Sequence, residues 1–561
     1  MNKGWPARSG TALIIGLVLL TSGVASDAQV RRPADERLPP PVFPTDTAER
    51  PFLLPPVEET DPAGTPLSGR ARVFVRRFDI VGNTVLDPAD LKKTADPYIG
   101  KEVTGAELQT LRQQLTQMYV KAGYINSGVI LPDQTVRDGV ITLQVIEGTL
   151  SRVEATGLRR LRPSYVEKRL AVDGDRPLRL ETLEERLRSL REDRLIERLE
   201  GHLTPGERPG TGVLTVDVEE SRPYVLGVGA DNHRAPSVGS IRGRLFAEHW
   251  NLTGRGDALA VELGLTEGLN DIGLRYALPL SARGLTLNLE YDKSDSEVIE
   301  RPFDALGIES DFRRVALGLR HPIHRALQRR FDVALRFENA RGRTAFLGGI
   351  PFPSAGARDG KSEVSAIRLS GEWIERRPDH VIAARATLSW GIDALGATIN
   401  DEAPDGRFFS GLGQFQWARR FANRGQLIFR ADAQLAADPL LSLERFAVGG
   451  ANSVRGYREN QLVRDSGWTA SLEYRHPLWR DEAGFSPLQL AVFADYGNAW
   501  NKGGDTPSPR SLSGAGLGLR WDPSPYLHAE LYGAIPFRAL DQTDDDLQDD
   551  GVHFLLTYRL F

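Results

Sequence analysis

From about Pro223 to its end the chain alternates apolar and polar residues, and the helical period is missing. Phe331, Val333, Leu335 and Phe337 interleave with Asp332, Ala334, Arg336 and Glu338. Leu285, Leu287, Leu289 and Tyr291 interleave with Thr286, Asn288, Glu290 and Asp292, and Trp468, Ala470, Leu472 and Tyr474 with Thr469, Ser471, Glu473 and Arg475. Alternation at period two describes a strand with one apolar and one polar face. A soluble sandwich alternates too, but these segments run about 10–14 residues, against about 5–6 for ordinary strands. Trp250, Trp373, Trp390, Trp417, Trp468 and Trp521 recur near segment ends or on the apolar face, as a girdle at a lipid interface requires. Sixteen segments start near residues 222, 238, 255, 269, 283, 310, 329, 362, 380, 406, 424, 466, 486, 512, 525 and 550. They predict a sixteen-stranded transmembrane antiparallel β-barrel over 222–561. Short connections at Glu267-Gly268, Arg376–Asp379 and Asp522-Pro523-Ser524 alternate with generally longer ones, as periplasmic turns alternate with extracellular loops. The chain ends in a strand, Val552–Phe561, which lets the sheet close on itself.

Composition agrees once that alternation is known. A hydrophobic share of 40% and a charged share of 26% suit a soluble chain, and equally a barrel in which every second residue faces lipid. The net charge of −5 leaves no footprint for nucleic acid. Cysteine is absent, which excludes a disulfide framework, a thiolate metal site and a cysteine nucleophile. Lys3, Arg8 and the mostly apolar run Thr11–Ala25 predict a signal peptide over 1–28, with cleavage after Ala25 or Ala28. Residues 29–70 form a proline-rich linker or plug segment: Pro39-Pro40-Pro41, Pro55-Pro56 and further prolines favour extended chain over helix.

Between linker and barrel the pattern is mixed. Val73–Asn83 reads as a strand ending in a Gly-Asn turn. Asp87 caps a helix that has Pro88 at its first position. A second helix carries Leu108, Leu111, Leu115, Met118 and Tyr119 at i, i+3, i+4 spacing and stops at Gly123. Strands follow around Ile125–Leu131 and Val140–Ile146. The order repeats loosely with a strand at Thr149–Thr156, helices at Ser164–Ala171 and Leu180–Leu195, and strands near Arg198–Leu203 and Val213–Val218. Two small α/β domains are predicted, 71–148 and 149–221.

Several of these residues resemble a known family. Tyr119–Ile125, Leu131-Pro132-Asp133-Gln134, Asp138-Gly139 and Ile146-Glu147-Gly148 resemble the first polypeptide-transport-associated (POTRA) domain of two-partner secretion transporters. Pro205-Gly206 and Gly212-Val213-Leu214 resemble the end of the second. In the barrel, the turn-rich stretch 438–465 holds Gly449-Gly450-Ala451-Asn452-Ser453-Val454-Arg455-Gly456-Tyr457, and Phe493-Ala494-Asp495-Tyr496-Gly497 lies about forty residues on. These motifs resemble those of the same transporters and of the wider superfamily that includes the barrel-assembly proteins. The resemblance implies that the sixth extracellular loop folds into the lumen, where Val454, Arg455, Gly456 and Tyr457 meet Phe493, Asp495 and Gly497. Alternation supports this independently. Leu488, Leu490, Val492, Ala494 and Tyr496 share the apolar face, which turns Asp495 to the lumen. Two features depart from the family. Phe561 is out of phase with the apolar set Val552, Phe554, Leu556, Tyr558 and Leu560, and only a short helix near Pro33–Leu38 is available as the family's plug.

Other chemistry finds little support. Gly356–Ser362 approximates a phosphate loop, but it is one residue short and precedes a strand. His321 and His324 flank Pro322 in a turn without a carboxylate cluster. Asp541–Asp550 reads as a solvated acidic loop. No nucleophile elbow is present, so no enzymatic activity, cofactor or metal is expected. The resemblance implies a monomeric outer-membrane transporter, embedded in lipid with its POTRA domains in the periplasm, that secretes a large partner exoprotein such as an adhesin or haemolysin. A factor that inserts barrels into the membrane is the alternative, and two POTRA domains instead of three or more favour secretion. The helix carrying Leu111, Leu115 and Tyr119, with the strand after Gly139, is the expected client groove.

Overall fold

The structure, a computed structural model, describes residues 36, 38–43, 72–171, 176–326, 328–479, 487–540 and 546–561. The signal peptide, most of the proline-rich segment and residues 541–545 lie outside the described residues. So does most of the expected plug helix; Glu36 and Leu38 are described and are not helical. The chain forms two compact units.

The N-terminal unit opens with β1 (Arg72–Val75), β2 (Arg77–Val81), α1 (Pro88–Ala95), β3 (Lys101–Thr104), α2 (Gly105–Lys121), β4 (Gly128–Ile130) and β5 (Val140–Ile146). Sequence suggested one strand over Val73–Asn83. It breaks at Arg76, whose N–H donates to the Gly139 carbonyl at 2.7 Å, so β1 pairs with β3 while β2 joins the sheet β2-β5-β4. Asp87 caps α1 by accepting the Ala89 N–H. Thr104 and Glu107 form a reciprocal capping box on α2, and the Thr104 N–H holds the exposed Glu107 carboxyl below its ordinary pKa. Leu111, Leu115 and Tyr119 face the sheet and pack with Val75, Leu91, Ile141 and Leu143. Burial pushes the Tyr119 phenol pKa up, and its hydroxyl donates to Asn83 Oδ1 at 2.7 Å. The second half repeats the plan with β6 (Thr149–Thr156), α3 (Pro163–Leu170), α4 (Leu180–Arg191), β7 (Ile196–Pro205) and β8 (Thr211–Glu220) in sheet order β6-β8-β7.

The second unit is a closed sixteen-stranded antiparallel barrel. Its strands are β9 (Tyr224–Asp231), β10 (Arg242–His249), β11 (Ala258–Leu265), β12 (Leu269–Pro279), β13 (Thr286–Glu297), β14 (Glu309–Arg325) and β15 (Arg329–Phe346). After the two-residue β16 (Ile350–Pro351) come β17 (Lys361–Arg376), β18 (His380–Ile392), β19 (Phe409–Arg420) and β20 (Gln426–Ala436). A short pair, β21 (Phe446–Val448) and β22 (Leu462–Arg464), lies within the long loop. The wall resumes with β23 (Ser466–Trp479), β24 (Leu488–Trp500), β25 (Ser511–Ser524), β26 (Leu527–Pro536) and β27 (Val552–Arg559). β27 pairs with β9 from Leu555↔Asp231 to Arg559↔Gly227 and closes the sheet. Leu317, Leu335, Val492, Leu517 and Leu531 are exposed on the outer face, while Arg314, Asp332, Glu338, Gln414 and Asp495 are buried inside. Phe561 follows the last strand, and its ring meets Tyr224 edge-on at 5.8 Å.

Three local expectations are corrected. The Glu267-Gly268 connection joins β11 to β12, which places it at the same end as the long loops; the Thr266 N–H to Leu269 carbonyl bond, 2.8 Å, makes it tight there. Asp522–Ser524 ends β25, where the register shifts between Trp521 and Ser524, and the turn itself is Pro525-Tyr526. His321 and His324 lie within β14 and not in a turn: the register shifts between Pro322 and His324, and such a bulge accommodates a proline that has no N–H to donate. Leu115 is 0% exposed at the centre of its domain. Leu115→Ala should therefore cost about 2–5 kcal/mol. Amide exchange should accelerate through 72–146 and leave the barrel's heat-modifiable gel migration unchanged.

Candidate functional site

The long loop between β20 and β23 does not extend into solvent. Its two arms pair as β21 and β22, and Phe446, Val448, Val454, Tyr457 and Leu462 form an apolar knot with Ala499 and Leu512 of the wall. That knot sits against β24 at Gly497, where a Cβ would meet Val448 Cγ1 at 2.4 Å and Val454 Cγ2 at 3.0 Å. The glycine of the F-x-D-x-G strand is thus a seat for the loop.

The tip delivers Arg455 to the inner wall. Its Nε donates to Asp495 Oδ2 at 2.7 Å and its Nη2 to Asp495 Oδ1 at 2.9 Å, a two-pronged fork on one carboxylate. Nη1 donates to Glu473 Oε2 at 2.5 Å, Nη2 also to Ser471 Oγ at 3.1 Å, and the backbone N–H of Arg455 to Asp495 Oδ2 at 3.1 Å. The guanidinium lies 3.4 Å from the Phe493 ring centroid and 4.9 Å from that of Tyr532, a cation–π partner on each of two strands. The Arg455 side chain is 7% exposed and that of Asp495 0%. Burial is deeper than a wet lumen suggests, so removing one partner should cost about 3–5 kcal/mol, because the other charge stays buried and unpaired.

Tyr457 is held through its hydroxyl, which donates to the Ser513 carbonyl at 3.1 Å and accepts the Arg538 N–H at 3.2 Å. Gly456 has φ +93° and lies against Ala534 and Pro536 of β26. All seven motif residues expected from sequence, Val454, Arg455, Gly456, Tyr457, Phe493, Asp495 and Gly497, therefore come together. Sequence reasoning missed their partners. Ser471 and Glu473 carry a visible signal, since they alternate onto the polar face of β23. Tyr532 and His553 also alternate onto the inward face, of β26 and β27, but nothing local marks them as partners of the loop.

The loop has further anchors. Glu444 accepts from Arg368 Nη2 at 2.7 Å, and Arg368 also binds Glu338 of β15 at 2.5 Å. Arg458 bridges Glu300 at 2.6 Å and Asp549, joining three inter-strand loops. The lumen also holds part of the proline-rich segment. The Glu36 carboxylate accepts from Arg336 at 2.9 Å and Arg314 at 3.3 Å, its carbonyl from Arg385 at 3.2 Å, and the Pro39 carbonyl from Gln416 at 3.0 Å.

Leu111, Leu115 and Tyr119 are a correction. Each is 0% exposed, because the helical face that they form is the one that covers the sheet, so they cannot line a client groove. The exposed neighbours are Val120 on α2 and Ile130 on β4. Gly356–Ser362 forms the hairpin into β17, with Arg358 and Lys361 exchanging backbone bonds. Among the described residues no group of His, Asp and Glu is placed to hold a metal, and no helix is long and apolar enough to cross a membrane.

Comparison with known proteins fits this geometry. The family model for haemolysin secretion/activation proteins ShlB/FhaC/HecB matches residues 210–521, and that for ShlB-type POTRA domains matches 73–148. The chain belongs to the ShlB/FhaC/HecB family. The outer membrane transporter CdiB of Escherichia coli is 24% identical over 421 residues, 70% of this chain and 67% of that relative. The hemolysin transporter protein ShlB of Serratia marcescens is 23% identical over 417 residues, 69% of each. The solved CdiB of Escherichia coli superposes over the whole of both chains with TM-score 0.62 at 19% identity. BamA of Haemophilus ducreyi, lacking POTRA domains 1–3, superposes on 87% of this chain with TM-score 0.54 at 14% identity, which shows a shared fold only. As a member of the ShlB/FhaC/HecB family, this is an outer-membrane transporter of two-partner secretion, with POTRA domains that are periplasmic in the family. Membership decides against the barrel-assembly alternative.

Arg455→Ala should leave membrane insertion intact and cut export of the client at least about tenfold, as expected when about 3 kcal/mol of loop seating is lost. Arg455→Lys should rescue little, since one ammonium cannot bridge Asp495 and Glu473 and stack on Phe493 as a planar fork does. Export assays on cells with matched barrel levels check both.

Proposed function

We propose that this transporter recognises one large exoprotein, of adhesin or haemolysin type, with its POTRA domains and passes it outward through a single barrel without a catalytic step. The observation that carries the reading is the Arg455 fork on Asp495, which holds a long loop inside the lumen next to the wall. A fixed loop divides the lumen and offers a surface along which an extended chain moves.

Recognition rests on strand addition, in which an extended client pairs with a sheet edge. In the three-stranded sheet of the first domain the edges are β2 and β4. The Val129 N–H of β4 already donates to Thr116 Oγ1 of α2 at 3.0 Å. That leaves β2, where Val81 is exposed, as the edge we assign to the client.

The segment around Glu36 acts as a resting-state plug. The contacts support a releasable one. Without Glu36, Arg314 keeps Asp292 at 2.7 Å, Arg336 keeps Glu338 at 2.6 Å and Arg385 keeps Glu372 at 2.6 Å. Withdrawal therefore strands no buried cation, whereas removal of Arg455 strands Asp495.

Deletion of 72–148 should leave a heat-modifiable barrel in the outer membrane and abolish export of the cognate exoprotein. Export at the level of the full chain would move recognition out of the first POTRA domain.

A further inference from the structure

The two consecutive N–H groups at the loop tip are bound by two different strands. That of Arg455 goes to Asp495 on β24. That of Gly456 goes to Nε2 of His553, at 3.3 Å, on β27, the strand that closes the barrel. His553 is 0% exposed and faces the lumen opposite Tyr532 of β26.

The backbone on either side of His553 is clamped from the first-strand side. Asn232 donates through Nδ2 to the Val552 carbonyl at 2.8 Å and accepts the Phe554 N–H at 2.8 Å. The ring therefore stands on a fixed base at the junction of the last and first strands.

Its own bonding is unbalanced. Nε2 accepts from Gly456, which places the ring proton on Nδ1, and Nδ1 has no hydrogen-bond partner among the described residues. A buried donor without a partner lowers stability, so an apolar side chain of similar volume would suit this position better if packing were its purpose. The charged or ionisable groups that bear on it, Arg455 from the loop and His233 from the β9–β10 connection, supply no carboxylate to pair with it. What remains as the use of this imidazole is the single acceptor that it turns toward the loop.

We propose that His553 is a positioning residue of the transport loop: its Nε2 fixes the Gly456 amide to the closing strand and so registers the Arg455 fork over Asp495 and Glu473. Without that bond the tip keeps the fork but gains freedom to pivot about it, toward or away from β26 and β27. The consequence for export rests on the function proposed above; the positioning itself does not.

The test uses the full chain with His553→Gln, which can offer an acceptor oxygen near the place of Nε2, and with His553→Phe and His553→Leu, which fill the space without one. Amide exchange at 454–458 reads the loop, and client export reads function. In the apolar variants, protection at Gly456 should fall about tenfold or more while the wall strands keep theirs, and export should fall with it. The Gln variant should stay within about threefold of the parent in both. In an Arg455→Ala background, His553→Phe should lower export no further, since His553 acts through the arginine. Unchanged protection in the apolar variants would overturn the proposal, as would equal losses in Gln, Phe and Leu. Lost protection with unchanged export would support the positioning and overturn the reading that a seated loop is needed for transport.

Discussion

Hydrocarbon accepts no hydrogen bonds, and that constraint decides the rest of this molecule. Every backbone N–H and C=O in the bilayer must be paired within the sheet, which requires β27 to return to β9. Closure at period two then forces half of each strand inward. Because the outer face is claimed by Leu317, Leu335, Val492 and Leu517, the polar residues fill the lumen. Charges gathered in so confined a space have to find one another. The pairs Arg455–Asp495, Arg368–Glu338 and Arg314–Asp292 are the outcome, and the long loop with its apolar knot is held by two of these clusters.

The same constraint explains what was legible in the sequence. A wall strand cannot drop its alternation without exposing charge to lipid, so all sixteen could be counted and Asp495 assigned to the lumen from the phase of Val492 and Tyr496. Pairing inside the lumen is a different matter. Ser471 and Glu473 are visibly inward, but their partner comes from a loop whose path is set by the β21–β22 hairpin and by contacts to Gly497 and Gly514. No local pattern encodes such a path. The role of Phe493 as a platform for a guanidinium was equally hidden, since an inward aromatic looks like any other lumen filler.

The misreadings have physical causes too. Val73–Asn83 is uninterrupted β-propensity, and only the tertiary bond from Arg76 to Gly139 splits it between two sheets. Loop length is an incomplete guide to sidedness, because the β11–β12 connection is short at the end where long loops prevail. Leu111, Leu115 and Tyr119 do form one apolar helical face, as their spacing predicts. An apolar face has two uses, covering a core or offering a groove, and in a domain this small the sheet claims it first.

The central claim is that Arg455 and Asp495 act as one unit that seats the loop. A double-mutant cycle on client export, with Arg455→Ala, Asp495→Ala and the combination at equal barrel levels, tests it most directly. The account predicts a double variant no worse than the poorer single one, with a coupling of about 2 kcal/mol or more on the export equilibrium. Fully additive losses would contradict it, since the arginine and the aspartate would then serve transport separately.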